Sequence, residues 1–484
     1  MFLLISLLCL FISYRLFRYA SGSMRITEIN MISWIFYIHL FLMSFLGSLL
    51  IVYSIDNHYA INSLSRDSVR FWGWAAVMYT MIALPTGMCL SAIFFHVSPI
   101  KSFHNYLSNS VTPYLSVKDS YIKFPLYAFS FIAFIAIAYT FFYADSFPLL
   151  EVFRGNTSES LAQTRISISR NFKGNQYVRN ILGLQLAPVL TYIAYAYWKM
   201  TRSKKDLLWF FMLFFTSFLA MTYNLAKAPF IIFLLGLFFE DILISGKQSL
   251  KYVCLFVSTM LMILVLFYVF FMKTNIFLNL FQYNQSITGR VILGQIAGLF
   301  KSLEYFPTDV DFIGFSSLSN FLSRFFNYEY AERSARTIMS LFNPRGIELG
   351  TAGVMNSLFI AEAWANWGIA GILISPLWVG FLIETVYLIL LKSAKTPIFL
   401  GIFALLSVKW PITGGVNDFI YSPLLITTVA FLIMLVFSGL FLKSSLKTTI
   451  TPIKERKLSK KAQKQAIQHN QLNETPHDSL IFFK

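Results

Sequence analysis

Long apolar runs separated by short polar segments dominate the pattern of the chain. A helix needs about 20 apolar residues to cross the hydrocarbon core of a bilayer. Eleven stretches approach that length: residues 2–19, 31–55, 71–96, 125–144, 180–198, 207–223, 226–244, 252–272, 369–391, 396–413 and 421–442. The pattern predicts an all-α polytopic membrane protein with about eleven transmembrane helices, within a range of about 10 to 14.

The composition agrees with this class. Of the 484 residues, 57% are apolar and 13% are charged, whereas a soluble domain carries about a quarter of charged residues. So many apolar side chains exclude a cytosolic enzyme, a disordered protein and a secreted module. Cys9, Cys89 and Cys254 lie in apolar stretches without metal-ligand spacing, so neither a disulfide framework nor a zinc site is predicted.

The positions of the charges predict an orientation. No cation precedes the apolar residues 2–14, and Arg15 and Arg18 follow them, which favours a retained first span with its start outside. If the N-terminus lies outside, 23 of the 39 lysines and arginines fall on the cytoplasmic side, including those of the basic tail from Lys443 onward. The net charge of +17 therefore indicates membrane orientation rather than nucleic-acid binding, and the tail is expected near anionic lipid.

The chain consists of six segments: three groups of membrane helices, the two long outside loops that separate them, and a C-terminal tail. These are N-terminal spans at 1–144, a first long loop at 145–179, central spans at 180–272, a second long loop at 273–350, C-terminal membrane helices at 351–442 and a basic tail at 443–484. In the second loop, apolar residues recur at helical spacing until Pro307: Ile292, Ile296, Leu299, Phe300 and Leu303. The repeat predicts an amphipathic helix on the outer face of the membrane.

The outside loops use arginine in preference to lysine, and a planar guanidinium is suited to bidentate binding of phosphate or carboxylate. Arg290 follows Thr288-Gly289 and has no acid within four residues, and Arg165 and Arg170 have none nearer than Glu159. These three are candidate ligands of an anion. Arg333 and Arg336 each follow an acid, Glu329 and Glu332, by four residues, which also allows helical ion pairs.

The stretch from Gly350 to Gly371 is apolar enough to enter the membrane, yet it carries Asn356, Glu362 and Asn366. Polar side chains at that depth are costly and usually face a cavity or a partner. The stretch predicts a short helix that dips in from outside before the ninth span. No HExxH, P-loop, GxSxG or paired DxD motif occurs, so nucleotide-sugar and ATP chemistry have no support.

Together these features resemble the Wzy-type oligosaccharide repeat-unit polymerases of the O-antigen polymerase and ligase superfamily. The resemblance rests on the many spans, the two arginine-rich outside loops, Thr288-Gly289-Arg290, and the segment from Asn356 to Gly371 that contains Asn-Trp-Gly. The ligases of the superfamily typically carry an outside histidine. Here only His58, in a short early loop, is expected outside, which favours a polymerase.

The resemblance implies a GT-C-like glycosyltransferase of lipopolysaccharide biosynthesis in a bacterial inner membrane, with a periplasmic N-terminus and a cytoplasmic C-terminus. It implies transfer of a glycan from undecaprenyl diphosphate to the end sugar of another lipid-linked unit, without a metal or cofactor. Arg290, Arg165 and Arg170 would stabilise the leaving diphosphate, and Glu362 would accept a proton. Further substrate-binding candidates are Arg333, Arg336, Arg345 and Asn356. A chain-length regulator and a flippase of the same export pathway are partner candidates, and nucleic acid is not.

Three alternatives stay open at this point. The first is an O-antigen ligase that transfers the glycan to a different acceptor. The second is a flippase or transporter of lipid-linked oligosaccharide, which would need polar residues along the full membrane depth. Glu384 is a single carboxylate in the middle of a span, and one such residue gives little support for a transporter. The third is a non-catalytic scaffold of an export complex.

Overall fold

The computed structural model describes residues 1–113, 119–144, 168, 172–224, 226–272, 282–284 and 286–441. Within these ranges every regular element is helical. Among the described residues, nine helices are long and apolar enough to cross a membrane: Phe2–Glu28, Met31–Val52, Asp67–Phe94, Tyr121–Phe142, Val178–Thr201, Lys204–Thr222, Ala228–Ser245, Ile360–Lys392 and Asn417–Phe441. The all-α, multi-pass membrane class predicted from the sequence is thereby confirmed.

Two further apolar helices are shorter within the described part of the chain, Leu250–Leu266 and Pro397–Lys409. They coincide with the predicted spans 252–272 and 396–413. Short helices connect the long ones: Pro99–Ser108, Ser286–Gly289, Arg290–Gly294, Ala297–Tyr305, Asn320–Phe325, Ser334–Phe342 and Pro344–Glu348. Most of the predicted first long loop and the basic tail lie outside the described residues.

The chain divides into two compact units. The first comprises Met1–Pro113 and Phe129–Thr428, and the second comprises Tyr114–Ala128 and Val429–Lys484. In the second unit Gly439 lies against the side chain of Ile122. All the candidate residues discussed below belong to the first unit.

Two long helices of the first unit, Asp67–Phe94 and Ile360–Lys392, cross with their backbones in contact. A side chain at Gly87 would overlap the carbonyl of Leu377, and one at Gly380 would overlap the carbonyl of Leu84. Close approach through small residues is a common way for membrane helices to associate, because it maximises van der Waals contact. Ser91 and Thr385 add a hydrogen bond of 2.9 Å between the two helices.

The segments that connect the helices of the first unit gather at two ends. At one end, Gln248 donates its backbone N–H to the carbonyl of Thr27 over 3.1 Å. At the same end, the Lys395 ammonium donates to the carbonyls of Tyr106, Leu107 and Asn109, where the helix Pro99–Ser108 ends. At the other end, Asn284 donates to the carbonyl of Asn57 over 3.0 Å. There the segments around residues 57, 284–305 and 359–362 meet, and we name this the loop end.

The predicted amphipathic stretch corresponds to the turn Arg290–Gly294 and the helix Ala297–Tyr305, and the side of the helix that was expected to face lipid is covered by protein. Residues 297–304 are all buried within the protein. Polar side chains of this helix find partners inside: Lys301 pairs with Glu304 at 2.6 Å, and Ser302 donates to the carbonyl of Ala361 over 2.7 Å. Burial raises the pKa of Glu304, but hydrogen bonds from Lys301 and Ser65 outweigh it and hold that pKa below its ordinary value.

Replacing Gly380 by leucine should force the two crossing helices apart. Overpacking of this kind costs about 1–3 kcal/mol, and we expect a lower midpoint of thermal unfolding, measured by tryptophan fluorescence in detergent. Ala370→Leu places a leucine at an exposed position of the same helix and is the matched control. Equal midpoints for the two variants would contradict the backbone contact.

Candidate functional site

The helix Ile360–Lys392 is broken near its start. Trp367 and Gly368 have non-helical backbone angles, and Gly368 has a φ of 58°, a conformation that favours glycine. A side chain at Gly371 would overlap the carbonyl of Ala363, so the segment before the break packs closely against the segment after it. The short segment 360–366 thus forms a separate helical turn that carries Glu362 and Asn366 at the loop end.

Arg333 lies between two carboxylates that come from different parts of the chain. It donates to Glu362 over 2.7 and 2.9 Å and to Asp418 over 2.9 and 3.1 Å. The Glu362 side chain is 4% exposed, that of Asp418 is 23% exposed, and that of Arg333 is 35% exposed. One planar guanidinium therefore joins the second long loop, the broken helix and the start of the last span.

The electrostatic balance of these three groups explains why the charges are tolerated. Burial lowers the pKa of Arg333, but hydrogen bonds and charges from Glu362 and Asp418 raise it above its ordinary value. The guanidinium is therefore always charged, and it compensates the buried carboxylate. The two carboxylates together carry one more charge than the single guanidinium neutralises.

A network of neutral polar groups supports the carboxylate of Glu362. The backbone N–H of Asn417 donates to Glu362 over 3.0 Å, and the Asn417 side chain donates to Ser317 over 3.0 Å. Asn366 donates to the amide oxygen of Asn417 over 3.0 Å. Any side chain at Gly415 would overlap both Glu362 and Arg333. Fixed partners of this kind orient a buried ion pair and leave it little freedom.

The helical ion pairs expected between Glu329 and Arg333, and between Glu332 and Arg336, are wrong. The helix begins at Ser334, and Arg333 is its N-cap residue with an extended backbone (φ −65°, ψ 143°). The two acids therefore lie before the helix, where the spacing of four residues has no meaning. Arg336 instead donates to the carbonyl of Gly353 over 3.1 Å.

The other candidates take different positions. Arg290 begins the short π-helical turn Arg290–Gly294 and is exposed, and its side chain forms no ion pair or hydrogen bond with another described residue. Arg345 is exposed in the second long loop, and Asn356 is exposed shortly after it. Arg165 and Arg170 lie outside the described residues. Among the described candidates, Arg333 and Glu362 are the pair that the structure joins through their side chains.

Asp418, Asn417 and Ser317 belong to the site, and sequence reasoning missed them. Asn417 and Asp418 follow Gly414-Gly415, where an apolar run gives way to polar residues. This change from apolar to polar residues is a signal for a functional segment. Nothing in the local sequence indicates that the segment contacts residues 317 and 333. In the described part of the chain, no group of three His, Cys, Asp or Glu side chains is placed to hold a metal ion.

No family model, no curated protein and no solved structure matches this chain.

The Glu362→Gln variant should destabilise the protein, because it keeps the shape of the side chain and removes its charge. Breaking a fully buried ion pair costs about 3–5 kcal/mol. Arg333 is partly exposed and keeps Asp418, so we expect about 1–3 kcal/mol, measured as a lower midpoint of thermal unfolding. Glu332→Gln removes an exposed carboxylate of the same loop and should stay within about 0.5 kcal/mol of the native protein. Similar losses in both variants would argue against the network.

Proposed function

We propose that this protein polymerises lipid-linked oligosaccharide repeat units at the outer face of a bacterial inner membrane. The observation that carries the proposal is the Arg333 guanidinium, held on one side by the buried Glu362 and on the other by the more exposed Asp418. Arg336, Arg345 and Arg290 belong to the same long loop. Guanidinium groups concentrated in one loop are suited to a diphosphate, which offers several oxygens for bidentate binding.

The proposal includes eleven membrane crossings. The turn at 246–249 contacts Thr27 at one end of the first unit, whereas Asn284 contacts Asn57 at the loop end. These contacts on either side of helix Leu250–Met272 favour a crossing by this helix. The helix Pro397–Lys409 has contacts at both ends as well. It follows Lys395, which lies at the end opposite the loop end, and it is followed by Ile412, whose carbonyl accepts the N–H of Phe359 at the loop end. The distribution of cations along the sequence favours a periplasmic loop end, and this orientation and a GT-C-like architecture are part of the proposal.

The reaction is a substitution at the anomeric carbon of the donor glycan. The end hydroxyl of the acceptor attacks that carbon, the bond from the carbon to the diphosphate oxygen breaks, and a carboxylate takes the hydroxyl proton. Undecaprenyl diphosphate leaves with the electron pair of the broken bond. Fixed guanidinium groups stabilise the charge that gathers on the diphosphate, which is where preorganised donors contribute most.

The two carboxylates take different roles in this proposal. Both oxygens of Glu362 accept hydrogen bonds, from Arg333 and from the backbone of Asn417, so Glu362 positions Arg333. Asp418 is bound by Arg333 and is more exposed. An arriving diphosphate competes for the edge of Arg333 that Asp418 occupies, and the displaced Asp418 then accepts the proton. The proton acceptor is thus Asp418 rather than Glu362.

The Arg290→Ala variant should form polymer about 10²–10³ times more slowly, if Arg290 acts as one preorganised donor to the developing negative charge. The measurement is the ladder of glycans on lipid diphosphate formed by the purified protein from lipid-linked repeat units. Lys247→Ala removes an exposed cation from the turn at the opposite end, and it should leave the rate unchanged. A normal ladder from Arg290→Ala would contradict the assigned role, and a single transfer to a different acceptor by the native protein would identify a ligase.

The Asp418→Asn variant should bind inorganic pyrophosphate about tenfold more tightly, a gain of about 1.4 kcal/mol, because a neutral amide competes less for Arg333. Polymer formation should nevertheless fall about 10²–10⁴-fold, since the proton acceptor is lost. Glu348→Gln, at an exposed carboxylate of the same loop, is the control for both measurements. Weaker pyrophosphate binding by Asp418→Asn would show that Asp418 only holds Arg333 in place.

A further inference from the structure

A cluster of aromatic side chains is exposed on the second long loop, around the short helix Asn320–Phe325. Phe321 is 73% exposed, Phe325 is 72% exposed and Phe326 is 59% exposed. Tyr328 and Tyr330 follow and are also exposed. We name residues 315–330 the aromatic segment. Apolar groups exposed together outside the long helices mark a surface that contacts something other than water.

The aromatic segment is fixed to the break in the long helix. Ile313 and Gly314 donate their N–H groups to the carbonyls of Ala365 and Asn366 over 2.9 Å each. The Phe315 ring packs against the Trp367 ring with centroids 5.2 Å apart. Further along, Ser323 donates to the carbonyl of Ser316 over 2.9 Å, so the short helix folds back towards the same place. The depth of the helix break in the membrane therefore determines the depth of the aromatic segment.

That depth follows from the length of the helix below the break. From residue 369 to Lys392 the helix rises about 36 Å, at about 1.5 Å per residue, whereas the hydrocarbon core is about 30 Å thick. Spans tilt by about 20° on average, which reduces the rise along the membrane normal to about 34 Å. With Lys392 at one boundary of the core, the break then lies about 4 Å beyond the opposite boundary, at the level of the headgroups. Ile369 and Ile374 are exposed just below the break, as expected of side chains that face lipid.

We propose that the aromatic segment is a membrane-interface anchor, with Phe321, Phe325 and Phe326 inserted at the boundary between acyl chains and headgroups. Two observations favour lipid as the partner. The exposed Phe315 contacts the Trp367 ring at the break, and the exposed Ile369 follows two residues later on the span. The segment also combines tyrosines with the exposed Arg324, a composition typical of the membrane–water interface. The anchor does not depend on the proposed catalytic activity.

Single cysteines test this proposal in a background where Cys9, Cys89 and Cys254 are replaced by alanine. Phe321→Cys and Phe325→Cys are each labelled with an environment-sensitive fluorophore in vesicles of phosphatidylethanolamine and phosphatidylglycerol. Glu348→Cys, at an exposed position of the helix Pro344–Glu348 in the same loop, is the control. We expect brominated acyl chains to quench positions 321 and 325 at least threefold more than position 348, and aqueous iodide to show the reverse order.

Two results would overturn the proposal. In one, iodide quenches all three positions equally in vesicles, which means that the aromatic segment faces water. In the other, positions 321 and 325 are shielded in native membranes but open to iodide in vesicles of pure lipid, which identifies a protein partner. Only variants that keep the native midpoint of unfolding are compared. Agreement between positions 321 and 325 then shows that the quenching reports where the aromatic segment lies and is not caused by local misfolding.

Discussion

The buried carboxylate of Glu362 imposes the strongest constraint on the loop end. A carboxylate removed from water needs a counter-ion and hydrogen-bond donors, or its desolvation outweighs any gain from packing. Arg333 supplies the counter-ion and the backbone of Asn417 supplies a further donor. Three segments distant along the sequence must therefore come together before this one side chain is satisfied. The precise placement of Arg333 follows from that requirement.

The helices contribute the second constraint, which is close approach of backbones. Gly87 and Gly380 let two long helices touch, and the broken helix is one of that pair. Because the crossing fixes the axis of this helix, it also fixes where the break at Trp367 and Gly368 is held. The polar network at the loop end is thus held by a rigid pair of helices. A binding site needs such support if its hydrogen-bond donors are to be preorganised for a ligand.

The spans could be predicted from sequence because a membrane imposes one length and one polarity on every crossing helix. Glu362 was also recognisable, as an isolated acid in an apolar stretch. Two expectations failed for physical reasons. Apolar periodicity in residues 292–303 cannot distinguish a helix that faces lipid from one enclosed by protein. The spacing from Glu329 to Arg333 indicates an ion pair only inside a helix, and the extended backbone at Arg333 removes that condition. Asp418 lies 85 residues from Arg333, and no local pattern links them.

The break at Trp367 and Gly368 also bears on how the protein matures. A continuous helix would satisfy the carbonyls of Ala365 and Asn366 from its own next turn. Here the N–H groups of Ile313 and Gly314 satisfy them instead, so a segment made earlier by the ribosome completes a helix made later. Residues 313–314 consequently cannot take their final position until residues 365–366 have been synthesised, so this part of the loop end is completed only after about 50 further residues have been added to the chain.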